Sequence, residues 1–87
     1  MSLKLRPGVV MQPVGAELLL LDTQAGLYFD LNPTGSLLLS AWLAGADDAT
    51  AVAGVTTRYA ATTERVLVDA TQLRAELLKR QLVETAE

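Results

Sequence analysis

Hydrophobic positions follow two different periods along this chain, and the change between them comes near residue 32. Before it the runs are short. Val9 to Val14 reads as a weak strand, which Pro13 marks as an edge or a strand end. Gly15 and Ala16 supply a tight turn, and Glu17 to Asp22 (ELLLLD) is a second strand too continuously apolar to be half solvated. Leu18 and Leu20 should face one way, Leu19 and Leu21 the other. Residues 23–26 form a hairpin loop in which Gly26 provides a positive φ, and Leu27 to Leu31 is a third strand. These three strands predict an antiparallel meander.

From Asn32 onward the period becomes helical. Asn32 is a favoured N-cap and Pro33 suits the first helical position, because its missing N–H would find no partner there anyway. Leu37, Leu38, Ala41 and Trp42 form the expected core face, with Trp42 as the packing anchor, and Gly45 closes the helix. Leu39 and Leu43 lie toward the Ser36 and Ser40 side, so this helix is greasier than one core face requires. Asp47 or Asp48 caps a second helix reaching Tyr59, with Val52, Val55 and Tyr59 at helical spacing. Gly54 inside it costs roughly 1 kcal/mol against Ala unless another backbone packs close. Thr62 or Thr63 caps a third, longer helix ending near Arg80, whose stripe is Val66, Ala70, Leu73 and Leu77. Leu82 and Val83 then leave the helix and pack back on the core. The predicted class is α+β, winged-helix-like: a three-stranded antiparallel sheet followed by three helices, in the order βββααα.

Composition narrows the function. With 87 residues, one domain spanning 1–87 is expected. The absence of Cys and His removes thiol nucleophiles, thiolate metal sites and the commonest acid–base group and metal ligand. No phosphate-cradling glycine motif and no zinc-protease motif occurs, and the Asp residues are scattered, so catalytic, metal and cofactor sites are not expected. No apolar run approaches the ~20 residues of a membrane span, and the N-terminus lacks a signal-peptide pattern, which predicts a cytoplasmic protein without membrane contact. A helix-turn-helix DNA-binding regulator is an alternative, since helices two and three have the right order. Net charge is −3, and Glu64, Arg65, Asp69, Arg74, Glu76, Lys79 and Arg80 mix signs on helix three without a basic stripe, so nucleic acid is not the expected partner.

The third strand raises a different possibility. In a three-strand meander it has one neighbour, and its other edge presents unpaired N–H and C=O groups. Leu27 to Leu31 holds no Pro and no Lys, and only Asp30 guards it. Either the domain's own third helix covers this edge or a guest peptide adds to it as a strand. Backbone pairing alone about breaks even, because ordering costs about 1–2 kcal/mol per residue and each hydrogen bond returns about 0.5–1.5 kcal/mol net. A guest therefore needs two or three apolar anchors, each worth ~1.5–3 kcal/mol, in a groove beside helix three. Candidate contacts are Leu27, Tyr28, Phe29 and Asp30 on the strand, and Val66, Leu67, Val68, Leu73 and Arg74 on the helix. By spacing, Phe29, Leu31, Val66 and Leu73 read first as core; Leu67, Val68 and Leu78 lie off the core stripe.

The run GLYFDLNPTG, the Trp-containing helix after it, a second helix ending at Tyr59 and the segment DATQLRAELLKRQLV together resemble the PqqD-like family, leader-recognition domains for ribosomally made, modified peptides. The likeness extends from about Val9 to Val83; Gln81 departs from it, standing where the family often has Gly. The resemblance implies a non-catalytic domain whose third strand and third helix hold the leader segment of a precursor peptide, and it adds Asp69 to the candidate contacts on the helix. The variant LYFDLNPTG is most similar to the discrete leader-binding proteins of lasso-peptide clusters, implying a cysteine-protease-like leader peptidase as a partner. A chaperone for pyrroloquinoline quinone biosynthesis is the alternative within the family, and an inert stabilising subunit is the alternative outside it. On this reading the surplus Leu39 and Leu43 would contact the processing enzyme.

Overall fold

The structure is a computed structural model that describes residues 2–86. Its elements are β1 (Ser2–Leu5), β2 (Val9–Val14), β3 (Glu17–Asp22), β4 (Leu27–Leu31), α1 (Pro33–Leu43), α2 (Asp48–Arg58), α3 (Thr63–Lys79) and β5 (Val83–Ala86). The meander predicted from the short apolar runs is the antiparallel sheet β2-β3-β4, and the predicted third strand is β4. Met11, Leu20 and Phe29 stand in one cross-strand row, and Pro13, Leu18 and Leu31 in another. This side of the sheet faces the helices, so Leu18, Leu20 and Leu31 are buried. Leu19 and Leu21 point to the opposite face.

Two strands lie beyond the sequence reading. β1 pairs antiparallel with β5, Leu5 opposite Val83 and Ser2 opposite Ala86, in a second, two-stranded sheet. Each is four residues long, too short for period-2 alternation to register, and the pairing joins opposite ends of the chain. Leu82 and Val83 do return to the core, both buried. The ribbon packs on α1 through β1 and on α3 through β5. It also corrects the reading of α1: Leu39 is 0% exposed, because α1 is enclosed by β1 as well as by the sheet, α2 and α3, and Leu43 is half buried against the same core. Neither is the free apolar contact expected of them.

The helix ends follow their capping chemistry. Gly35 N–H donates to Asn32 Oδ1 (2.8 Å), Thr50 N–H to Asp47 Oδ1 (2.8 Å) and Arg65 N–H to Thr62 Oγ1 (3.2 Å). The Thr50 N–H holds the Asp47 carboxyl below the usual carboxylate range. α1 and α3 end in the same motif. Ala46 N–H donates to Ala41 O and Gly45 N–H to Trp42 O; Leu82 N–H donates to Leu77 O and Gln81 N–H to Leu78 O. The left-handed residue is Gly45 (φ 96°) in one and Gln81 (φ 59°) in the other. Gln81 thus adopts the conformation that glycine adopts without penalty, at a cost of roughly 1 kcal/mol.

Ser36, on the side of α1 that the sequence reading left off the core face, is buried. Its Oγ accepts from Leu18 N–H (2.9 Å) and lies 2.8 Å from Asn32 O and 3.1 Å from Leu31 O, either of which can take its proton. This one hydroxyl joins β3, the end of β4 and α1. Ser36→Ala leaves the Leu18 N–H buried without that partner and should lower unfolding free energy by about 1–2 kcal/mol in a urea titration. Gly54 has the opposite sign. No atom lies within 4 Å of where its Cβ would stand, so no close approach requires glycine there. Gly54→Ala should stabilise the chain by about 0.4–1 kcal/mol, read as a higher urea midpoint.

Candidate functional site

β4 has β3 as its neighbour on one side, and among the described residues no strand pairs with its other edge. Alternate residues of Leu27–Leu31 therefore turn backbone N–H and C=O groups outward. Beside that edge lies a cleft of about 600 Å³ between β4 and α3. Phe29, Leu31, Leu38 and Leu73 give it an apolar floor; Asn32, Thr34 and Gly35 close it at the α1 cap. The far wall is polar: Arg65, Asp69, Gln72 and Glu76 stand four, three and four residues apart, on one face of α3. The edge and the cleft have one origin. The Asn32-Pro33 start puts α1 directly after β4, leaving no residues to cross over and cover it, while α3 stands off by the width of its polar side chains.

The cleft is electrically uneven. Asp30, Asp69 and Glu76 line it against Arg65 as its cation. Arg65 Nε lies 3.6 Å from Asp69 Oδ1, an exposed i, i+4 pair. Arg80 bonds Glu76 and holds its carboxyl below the usual range, burial opposing that shift. The Arg80 guanidinium also lies over the Phe29 ring, 4.9 Å from its centroid. It marks the end of the main cleft; beyond it Asp22, Leu27, Tyr28, Arg80 and Leu82 surround a smaller pocket.

Of the residues read from sequence as guest contacts, the structure brings Phe29, Asp30, Asp69 and Leu73 together at the main cleft. Leu27 and Tyr28 lie on the same edge strand, both exposed, at the smaller pocket. Four others fall elsewhere. Val66 is 1% exposed and belongs to the core. Leu67 borders a groove against α2 with Ala49, Val52 and Ala53, and Val68 is an exposed neighbour of Leu67, Thr71 and Gln72. Leu78, off the core stripe but not one of those four, is likewise exposed and lines neither pocket at β4. Arg74 points to the other helices: it bonds Asp48, and its guanidinium sits 4.6 Å from the Trp42 ring centroid, while Trp42 Nε1–H donates to the same Asp48 Oδ1 (2.9 Å). The cause is rotation about one helix axis. The core stripe and the cleft face are adjacent, and the apolar positions off the stripe lie on the far side. Arg65, Gln72 and Glu76 were missed because mixed charge at i, i+4 reads as solvated surface. Their shared register with Asp69 is the signal that could have found them.

Among the described residues no group of three or more metal-ligating side chains occurs, and no helix is long and apolar enough to cross a membrane.

Comparison with known proteins finds the same fold. Among solved structures, the chain superposes on "TbiB1 in Complex with the TbiA(beta) Leader Peptide" with a TM-score of 0.82 and 26% identity, over 97% of this chain and 98% of that one. It also superposes on "Lasso peptide synthetase B1 complexed with the leader peptide" with a TM-score of 0.88 and 24% identity, over 98% and 100% of the two chains. Among curated proteins none matches it significantly. The sequence profile of the family described as "Coenzyme PQQ synthesis protein D (PqqD)" matches residues 17–83, which takes in β3, β4, all three helices and the start of β5. The chain belongs to the PqqD family.

Proposed function

We propose that this chain recognises the leader segment of a ribosomally made precursor peptide. The guest adds as a strand to the open edge of β4 and lays apolar side chains into the β4–α3 cleft. The observation that carries this reading is a strand edge, unpaired among the described residues, running along an apolar-floored cleft. Support comes from the fold shared with TbiB1, whose structure holds a leader peptide. Edge pairing sets the guest's direction and register, and the cleft selects its side chains. Leu31, Leu38 and Leu73 provide the floor against which one or two anchors, worth ~1.5–3 kcal/mol each, tip the balance toward binding. The chain performs no chemistry itself and delivers the bound precursor to a separate leader peptidase in lasso-peptide biosynthesis.

The family description favours a second reading, in which the guest is the precursor of pyrroloquinoline quinone. Both readings use the same edge, and binding separates them. Labelled leaders of a lasso precursor and of a quinone precursor are titrated against the isolated chain by fluorescence anisotropy. Saturable micromolar binding of the lasso leader is expected, changing less than about threefold between 50 mM and 200 mM salt; a DNA-type contact would lose far more over that range. Saturation by the quinone precursor alone would favour the second reading, and saturation by neither would overturn both.

A further inference from the structure

The hydrogen-bond pattern of the sheet identifies which residues meet the guest. Leu18 N–H donates to Ser36 Oγ, which also lies 3.1 Å from Leu31 O, so Leu18 and Leu31 turn their backbone groups toward each other. Direction alternates along an antiparallel pair. Leu27, Phe29 and Leu31 therefore bond toward β3, and the N–H and C=O groups of Tyr28 and Asp30 are the ones left on the open edge. Side chains alternate with the same period. Phe29 and Leu31 face the helices, whereas Asp30 stands on the outward face in the row Gln12-Leu19-Asp30. A guest strand, in either direction, places every second side chain on that outward face. The residue beside Asp30 is one of these, its Cα roughly 5 Å from that of Asp30.

Charge at this position is unbalanced. Glu17 stands diagonally from Asp30 across β3 and β4 on the same outward face, next but one to Leu19. Asp30's charge, then a side-chain hydrogen bond with it, then burial, raise the Glu17 carboxyl above its ordinary range. The other carboxylates near the edge have partners: Asp69 has Arg65, Glu76 has Arg80, and Asp22 Oδ1 accepts from the N–H groups of Gln24 and Ala25. None of the ion pairs among the described residues includes Glu17 or Asp30. From residue 7 to residue 57 the sequence contains no Lys or Arg, and β2 brings only Val10, Gln12 and Val14 to this face. The described part of the chain thus supplies no cation here, and the adjoining position on the added strand is where one fits.

Resting on the leader reading, we propose that Asp30 is a specificity-determining residue: it selects a leader that carries Lys or Arg beside it on the added strand, on the face turned away from the cleft. The apolar anchors lie on the guest's other face. The selected segment therefore has its cation an odd number of residues from each anchor, a pattern readable in the leader's own sequence.

Fluorescence anisotropy on the full chain tests this. The probe is the labelled lasso leader, with each residue of its bound segment replaced in turn by Lys and by Gln. At one position Lys should bind about three- to tenfold tighter than Gln, an odd number of residues from every position that requires an apolar side chain. Asp30 is exposed on an edge strand, so Asp30→Asn should fold normally and bring that ratio below twofold, while Asp30→Lys should invert it. A second readout needs no variant of the chain. The ratio should shrink as pH falls from 7 to 4, because protonating Asp30 and Glu17 removes the charge that the Lys meets; Tyr28, the other titratable group on this face of β4, stays neutral throughout. Saturable binding with no such position, a ratio indifferent to Asp30→Asn or to pH, or one abolished by Asp69→Asn instead, would overturn this proposal and leave the leader reading standing. Failure of the unaltered chain to bind the unaltered leader would overturn the leader reading and this proposal with it.

Discussion

Leu73→Asp should weaken leader binding by roughly 10- to 100-fold, whereas Val68→Glu should leave it within twofold. Leu73 lies on the cleft floor with Phe29 and Leu31, so an aspartate there puts a charge where the proposed reading seats the guest's apolar anchor. Losing one anchor removes about 1.5–3 kcal/mol, and each 1.4 kcal/mol is about tenfold in affinity. Val68 is 52% exposed and outside the cleft, so its replacement by glutamate adds a charge to solvated surface. Leu73 also leans on the core, so Leu73→Asp will cost some stability; circular dichroism identifies the folded fraction to which the affinity refers. Asp69→Arg, on the exposed wall, supplies a second perturbation that leaves the core untouched. Equal loss in Leu73→Asp and Val68→Glu would mean that the guest spans the far side of α3.

Arg74→Ala should act on the fold and leave the site alone. Arg74 and Trp42 Nε1–H converge on the same oxygen of Asp48, and the guanidinium covers the indole. These three residues tie α3, α1 and α2 together at a point where Trp42 is fully buried. Breaking a buried ion pair typically costs 3–5 kcal/mol. The Asp48 side chain is 47% exposed, so water recovers part of that and a loss of about 2–4 kcal/mol is expected. The chain's one Trp makes the measurement direct: urea unfolding followed by Trp42 fluorescence should show a midpoint shift of that size. Leader affinity, measured where the variant is still folded, should change less than twofold. A large affinity loss at unchanged stability would return Arg74 to the binding site where its sequence position first put it.

Most of the architecture is written locally. The apolar runs at Glu17–Asp22 and Leu27–Leu31, the Asn32-Pro33 start and a cap at Asp47 or Asp48 and at Thr62 or Thr63 each rest on neighbours within four residues, and each is realised, the caps being Asp47 and Thr62. The continuous ELLLLD run, however, buries only Leu18 and Leu20 and so is half open after all. What escaped depends on distant partners. The β1–β5 ribbon joins residues some eighty apart, and Leu39 is buried because of a strand the sequence pattern did not disclose. Ser36 illustrates the same limit at a single atom: whether a helix serine faces water or a strand N–H is decided by β3, eighteen residues upstream. The candidate site was legible on its strand half, because an edge follows from strand order. On α3 it was half legible. Spacing identifies faces of a helix but not which of two adjacent faces meets β4, so Asp69 and Leu73 were placed at the cleft while Arg65, Gln72 and Glu76 were passed over.

Amide hydrogen exchange along Leu27–Leu31, with and without a saturating leader peptide, tests the central claim most directly. If the guest adds as a strand, the outward-facing N–H groups of β4 change from fast to strongly slowed exchange, while the free edge of β2 is unaffected. Saturable binding with no slowing in β4, or with slowing confined to the far side of α3 around Leu67 and Val68, would contradict it.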